Sequence, residues 1–250
     1  MKRYMIASDY DGTISYEGKI SQADHDAIAR FREAGHLFGL VTGRLTQTAL
    51  IAAHTVGHDF TIACSGGVIF DASDTMLWDK TVPGDGKLSA LYTAAKDCGT
   101  VNFLVSTAQS CYEFDVSTAK PEDIVIPKGE GIQEVCFYCP KGDGAPRFAA
   151  QYREAFEDSY AIHLNGGSVD MPACGVSKKT GILKAAEIFG IETENIFCVG
   201  DQTNDLPMVT AFKGFAVSNA VPALKEAAPY SCNRICDMID RILSGEFDGE

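Results

Sequence analysis

Four carboxylates, one hydroxyl and two lysines are the residues whose types and spacing could do chemistry. Asp9 and Asp11 lie in Asp9-Tyr10-Asp11-Gly12-Thr13, and the hydroxyl lies in Thr42-Gly43-Arg44. Asp201 and Asp205 lie in Gly200-Asp201-Gln202-Thr203-Asn204-Asp205. Carboxylates gathered at one place repel unless a cation intervenes, and an all-oxygen donor set suits a hard ion such as Mg²⁺. Ser177-Lys178-Lys179 adds two cations at the start of a helical pattern, where the macrodipole favours anions. Local rule-breaking of this kind tends to mark functional sites. A lysine there makes sense if a phosphate binds between the helix terminus and the metal.

The elements that must position these residues alternate. Residues 4–9 read as a strand. Ser21, with Asp24 three residues on, caps a helix that stops near Gly35. Residues 37–42 form a second strand, 46–56 an Ala-rich helix and 60–64 a third strand broken at Ser65-Gly66-Gly67. This order predicts a parallel sheet with right-handed crossovers. In such a sheet ligands bind beyond the carboxyl ends of the strands, and three chemistry-bearing segments follow strands there. If extended backbone persists to Asp11, the period of two sets Asp9 and Asp11 on the same side.

From 68 to 79 the pattern becomes a hairpin around Asp71-Ala72-Ser73-Asp74, and Val82-Pro83-Gly84-Asp85-Gly86 reads as a linker. Residues 83–172 then mix helices near 86–97 and 146–157 with strand-like runs at 101–105, 111–116, 132–138 and 160–164. Alternation resumes after Cys174-Gly175, with a helix from Ser177 to Gly190 and strands at 195–199 and 214–217. The expected fold class is α/β: a Rossmann-like parallel-sheet core of residues 1–82 and 173–250, interrupted by an inserted α+β domain at 83–172.

Composition narrows the function. The 250 residues carry a net charge of −13 and are 46% hydrophobic, which excludes a disordered chain. No segment is basic, so nucleic acid and anionic membrane surfaces are disfavoured partners. No apolar run approaches the ~18 residues of a membrane span, and no signal peptide is evident. Nine cysteines without a disulfide framework point to a reducing, cytoplasmic compartment. Cys136-Phe137-Tyr138-Cys139 is a CxxC, but in a strand its two thiols face opposite ways. Cys64, Cys98, Cys111, Cys174 and Cys198 are expected as small buried hydrophobes. Nothing in the sequence sets an oligomeric state.

On these residues the chain resembles the haloacid dehalogenase superfamily, and within it the Cof-type (class IIB) phosphatases. Asp9-Tyr10-Asp11-Gly12-Thr13 matches the first family motif and Thr42-Gly43-Arg44 the second. Gly175-Val176-Ser177-Lys178 matches the third and the Gly200–Asp205 segment the fourth. All four occur in family order, and residues 83–172 stand where this class carries its C2-type cap. The resemblance implies Mg²⁺-dependent hydrolysis of a small-molecule phosphate ester, such as a sugar phosphate. Asp9 would be the nucleophile and Asp11 the general acid and base. Asp9, the Asp11 carbonyl and Asp201 would hold the metal. Thr42, Gly43 and Lys178 would bind the phosphoryl oxygens, Asp205 would orient Lys178 or a metal-bound water, Asn204 would touch phosphate, and Arg44 would reach the substrate or the cap.

The sequence departs from the family pattern at three places. Tyr10 stands where an aliphatic residue is commoner; a Tyr at that position also resembles the trehalose-phosphate phosphatases, whose fourth motif differs. Cys64-Ser65-Gly66-Gly67 replaces the usual Asn-Gly pair. Lys179 stands at a frequent glycine, which leaves Lys179 as the alternative to Lys178. Two other activities use the same scaffold: a phosphomutase, and a non-catalytic phosphometabolite-binding regulator. The G-x-G-x-x-G of a dinucleotide-binding fold does not follow the first strand.

Overall fold

A computed structural model describes residues 2–83, 85–140 and 142–249; Gly84 of the expected linker lies outside them. The core is an eight-stranded sheet. Its strands are β1 (Met5–Ser8), β2 (Leu37–Val41), β3 (Phe60–Ala63), β4 (Val68–Asp71), β5 (Met76–Asp79), β11 (Ile196–Gly200), β12 (Lys213–Val217) and β13 (Tyr230–Cys232). They lie in the order β13-β12-β11-β1-β2-β3-β4-β5. The six strands from β13 to β3 are parallel, and the expected hairpin β4–β5 continues the sheet antiparallel.

Every residue of β1, β2, β3 and β11 is buried, the mark of strands covered on both faces. Helix α1 (Gln22–Glu33) starts as the sequence predicts, with the Ser21 side chain accepting from the Asp24 amide. It packs on α8 (Ile235–Leu243), whose Ile235, Met238, Ile239 and Ile242 form one apolar stripe. Phe31, Phe38, Phe197 and Phe215 are fully buried in this core. Each contributes about 2–3 kcal/mol of apolar burial.

Between β5 and β11 the chain builds a second, antiparallel sheet. Its strands are β6 (Phe103–Thr107), β7 (Cys111–Phe114), β8 (Ile132–Tyr138), β9 (His163–Asn165) and β10 (Ser168–Pro172), in the order β7-β6-β8-β10-β9. Helices α3 (Leu88–Asp97) and α4 (Gly144–Phe156) pack with it around Tyr92, Phe103, Phe137 and Phe148. The opposite face looks toward the core: Leu104 and Cys136, cross-strand partners, pack on Leu45, Cys64 and Val68. This second sheet is the cap of an α/β core.

The cap and core are joined at two adjacent crossings. Lys80 Nζ donates to the Cys174 carbonyl at 2.7 Å, and the Val82 and Ile132 backbones pair. The core also grips the cap through side chains: Thr46 donates to Gln133 and Ser65 to Glu134, each at 2.8 Å.

Two sequence expectations need correction. Cys111 and Cys174 are exposed rather than buried, because one lies on the cap's outer strand and the other at a crossing. Strand β1 ends at Ser8, so the strand itself does not reach Asp11, although the Asp9 amide still pairs with Val199 and Asp11 bridges to Ser15 across the turn at 12–14.

Candidate active site

The catalytic candidates converge where β1, β2 and β11 end. Asp9 follows β1, and its amide donates to the Val199 carbonyl at 3.0 Å, fixing it to the neighbouring strand. Helix α5 (Lys178–Phe189) begins opposite, capped by Ser177, whose hydroxyl accepts from the Thr180 amide. Lys178, its first residue, is only 3% exposed. Its ammonium donates to Asp9 Oδ1 and Asp205 Oδ1, both at 2.6 Å. Those two carboxylates offset the unfavourable placing of a cation at a helix start. Lys179 is exposed, so the structure brings Lys178, not Lys179, to the site.

Asp205 is fully buried and committed on both oxygens, since Oδ2 accepts from the Asp201 and Gln202 amides at 3.0 Å each. Asp201 accepts from the Thr13 hydroxyl at 3.0 Å and from the Gln202 side-chain Nε2 at 3.1 Å. Asp9, Asp201 and Asp205 bring carboxylate oxygens within 4.8 Å of one another. Burial pushes the Asp9 carboxyl well up; the Lys178 ammonium opposes this, while Asp205 and Asp201 push it further. Burial and Asp205 raise Asp201 as well. Three mutually repelling carboxylates with hard oxygen donors fit a divalent cation, which would reverse that push. Asp9 and Asp201 are the better side-chain ligands, because Asp205 already serves Lys178 and two amides.

Asp11 lies three residues past the end of β1 and lines the same cavity of about 440 Å³ as Asp9, Thr42, Gly43, Arg44, Asp201 and Asn204. Its carboxylate forms a two-point pair with Arg44, Nε to Oδ2 and Nη2 to Oδ1, each at 2.7 Å. Arg44 also lies over the Tyr10 ring, 4.9 Å from its centroid. The residue that departs from the family pattern at position 10 thus supports the arginine. The Arg44 guanidinium is taken up by Asp11 rather than directed at the cap. The Arg44 amide donates to Thr42 Oγ1 at 3.1 Å, which leaves the Thr42 hydrogen free to point into the cavity. Asn204 lines the cavity too, with its Oδ1 buried and lacking a protein partner.

The sequence did not single out the cap's contribution. Cys136, Asn165, Ser168 and Asp170 complete the cavity wall. Ser168 and Asp170 are two apart on β10, and Asp170 is the register partner of Cys136, as Ser168 is of Asn165. The signal was present as an alternation in Ser168-Val169-Asp170-Met171, hidden by the adjacent glycines and by Pro172. The CxxC divides as expected: Cys136 faces the cavity, while Cys139 is buried among Phe137, Phe148 and their neighbours.

Comparison with known proteins agrees with this geometry. A family model described as haloacid dehalogenase-like hydrolase matches residues 6–237. A 5-amino-6-(5-phospho-D-ribitylamino)uracil phosphatase of Bacillus subtilis is 26% identical over 97% of this chain and 99% of its own. A phosphoglycolate phosphatase of Methanothrix thermoacetophila is 28% identical over 92% of this chain and 90% of its own. Among solved structures, a haloacid dehalogenase-like hydrolase from B. subtilis superposes with a TM-score of 0.82 at 18% identity, covering 96% of this chain and 99% of that one. A subclass IIB sugar phosphatase superposes at 0.77 and 16%, covering 98% and 99%. Among the described residues no helix is long and apolar enough to cross a membrane. With the sheet order, the cap and the matched family model in agreement, this chain belongs to the haloacid dehalogenase-like hydrolases, in their Cof-type branch.

Proposed function

We propose that this phosphatase hydrolyses a small phosphate monoester through an aspartyl-phosphate on Asp9, with Mg²⁺ as cofactor. The observation that carries the reading is the buried Lys178 ammonium held 2.6 Å from Asp9, beside Asp201. Asp9 and Asp201, with the Asp11 carbonyl, would hold the metal, which supplies charge compensation for an incoming phosphate dianion.

Asp9 is the nucleophile: its oxygen bonds to phosphorus as the bond to the leaving oxygen breaks, and Asp11, turned away from Arg44 and protonated from solvent as substrate binds, gives that oxygen its proton. Asp11 then takes a proton from water, the water oxygen bonds to phosphorus, and Asp9 is released with inorganic phosphate. Thr42 donates its free hydroxyl hydrogen to a phosphoryl oxygen, and the Gly43 amide and Lys178 add positive charge there. Asn204 lies within the same cavity to take a further phosphoryl oxygen. Asp205 keeps Lys178 aimed between itself and Asp9.

The cap, residues 83–172, excludes water by covering this site. The nine free thiols support a reducing compartment. Incubation with Mg²⁺ and p-nitrophenyl phosphate tests the reading. The expected result is turnover by the wild type and a loss of at least about 10³-fold in Asp9→Asn; equal hydrolysis by both proteins overturns it.

A further inference from the structure

The cap wall has a charge character that the phosphate chemistry does not require. Asp170 is 4% exposed, and its Oδ1 accepts from the Cys136 thiol at 3.2 Å. Its Oδ2 sits over the second motif, since a Cβ placed on Gly43 would stand 3.1 Å away. The other cap side chains on the cavity, Asn165, Ser168 and Cys136, are neutral. Arg44 is the one cation on the cavity wall among the described residues, and Asp11 occupies it at two points. Lys178, behind the wall, is held by Asp9 and Asp205. Where the leaving group must lie, between the second motif and the cap, there is a carboxylate, an amide and a hydroxyl, and no uncommitted cation.

We propose that Asp170 is a specificity-determining residue, which admits neutral hydroxyl-bearing leaving groups and excludes those carrying a carboxylate or a second phosphate. The inference rests on the phosphatase reading. On the same cavity wall the Asp170 carboxylate can accept hydrogen bonds from adjacent hydroxyls of a leaving group, while the Asn165 amide and the Ser168 hydroxyl can both donate and accept. A second anion placed there meets a like charge in a low-dielectric cavity with nothing to pair it, which is how a site rejects a competitor. Burial pushes the Asp170 carboxyl up to about 6, with Cys136 and Lys178 opposing, and the buried Glu134 carboxyl interacts with it, so the test is run well above that value.

The test measures inhibition of p-nitrophenyl phosphate hydrolysis at pH 8 with Mg²⁺, using sorbitol 6-phosphate and phosphoglycolate as competitors. In the wild type the expected Ki for phosphoglycolate exceeds that for sorbitol 6-phosphate by about 100-fold. In Asp170→Asn the ratio falls at least about tenfold, and Asp170→Ser behaves the same way. The ratio is taken within each protein, so a general loss of activity cancels, and circular dichroism reports folding. A wild type that binds both esters equally, or a ratio unchanged in both variants, overturns the role of Asp170 and leaves the phosphatase reading standing. Absence of any p-nitrophenyl phosphate hydrolysis by the wild type overturns both.

Discussion

Lys178 Nζ lies 2.6 Å from Asp9 Oδ1, and the same ammonium lies 2.6 Å from Asp205 Oδ1, with all three side chains buried. One cation therefore bridges two carboxylates that belong to different strand ends, and it couples the stability of the core to the geometry of the proposed nucleophile. Removing one partner of a buried ion pair costs more than the pair itself contributes, because the remaining charge is stranded.

Lys178→Met should accordingly destabilise the fold by about 3–5 kcal/mol. It should also reduce kcat for p-nitrophenyl phosphate by at least about 10²-fold. Urea denaturation and steady-state kinetics check the two effects. Lys179→Met, on an exposed residue of the same turn, should change stability by less than about 0.5 kcal/mol.

Mg²⁺ should raise the melting temperature of the protein, because a ligand that binds only the folded state stabilises it by about 2.7 kcal/mol at a hundredfold excess over Kd. The shift should vanish in Asp201→Asn, which keeps the Thr13 contact but loses the ligating charge. A variant that retains the full Mg²⁺ shift would place the metal elsewhere. Differential scanning fluorimetry with and without chelator reads this directly.

Asp24 joins α1 to α8, and it is the clearest pH-dependent strut. Its Oδ2 accepts from Arg234 at 2.7 Å and from the Ser21 hydroxyl at 2.6 Å, and its Oδ1 from the Cys236 amide at 3.1 Å. Burial pushes this carboxyl up, but the hydrogen bonds from Arg234, Ser21 and Cys236 prevail and hold it below its ordinary value. A depressed folded value means that the contribution is complete above the unfolded pKa of about 3.9. It is lost as pH falls through the folded value. Asp24→Asn should cost about 2 kcal/mol at pH 7, and the gap to wild type should close below pH 4 in denaturation curves.

Gly66 adopts φ +114°, and a Cβ there would collide with the Ser177 carbonyl. Gly66→Ala should therefore lose about 2–4 kcal/mol and, by shifting the start of α5, lower kcat as well. Gly190, at φ +66° past the end of α5, has no atom within 4 Å of its would-be Cβ. Gly190→Ala should cost only about 1 kcal/mol and leave kcat unchanged.

The strand ends and their motifs were legible because a parallel sheet exposes its chemistry at predictable places: Asp9, Thr42 and Asp201 each follow a short apolar run. The choice between Lys178 and Lys179 was not legible, since the two differ only in rotation about a helix axis. Burial against Asp9 and Asp205 decides it. The Arg44–Asp11 pair was hidden for a related reason, as it depends on how the turn after β1 meets the turn after β2. Strand β10 went unread because Asp170 and Pro172 make it look like a loop. The polar Ser168 and Asp170 are there because one face of the strand lines a cavity rather than a core. Helix α8 went unread as well, although its buried Ile235, Met238, Ile239 and Ile242 keep helical spacing.

The two crossings between core and cap run side by side, tied by Lys80 and the Cys174 carbonyl. An insertion whose ends nearly touch imposes little loop-closure strain on its host, whatever its length. The core can thus acquire, lengthen or exchange its covering module without re-registering a single strand. In the proposed reading the phosphate chemistry would stay with the sheet, and the choice of molecule would fall to the part inserted between those crossings.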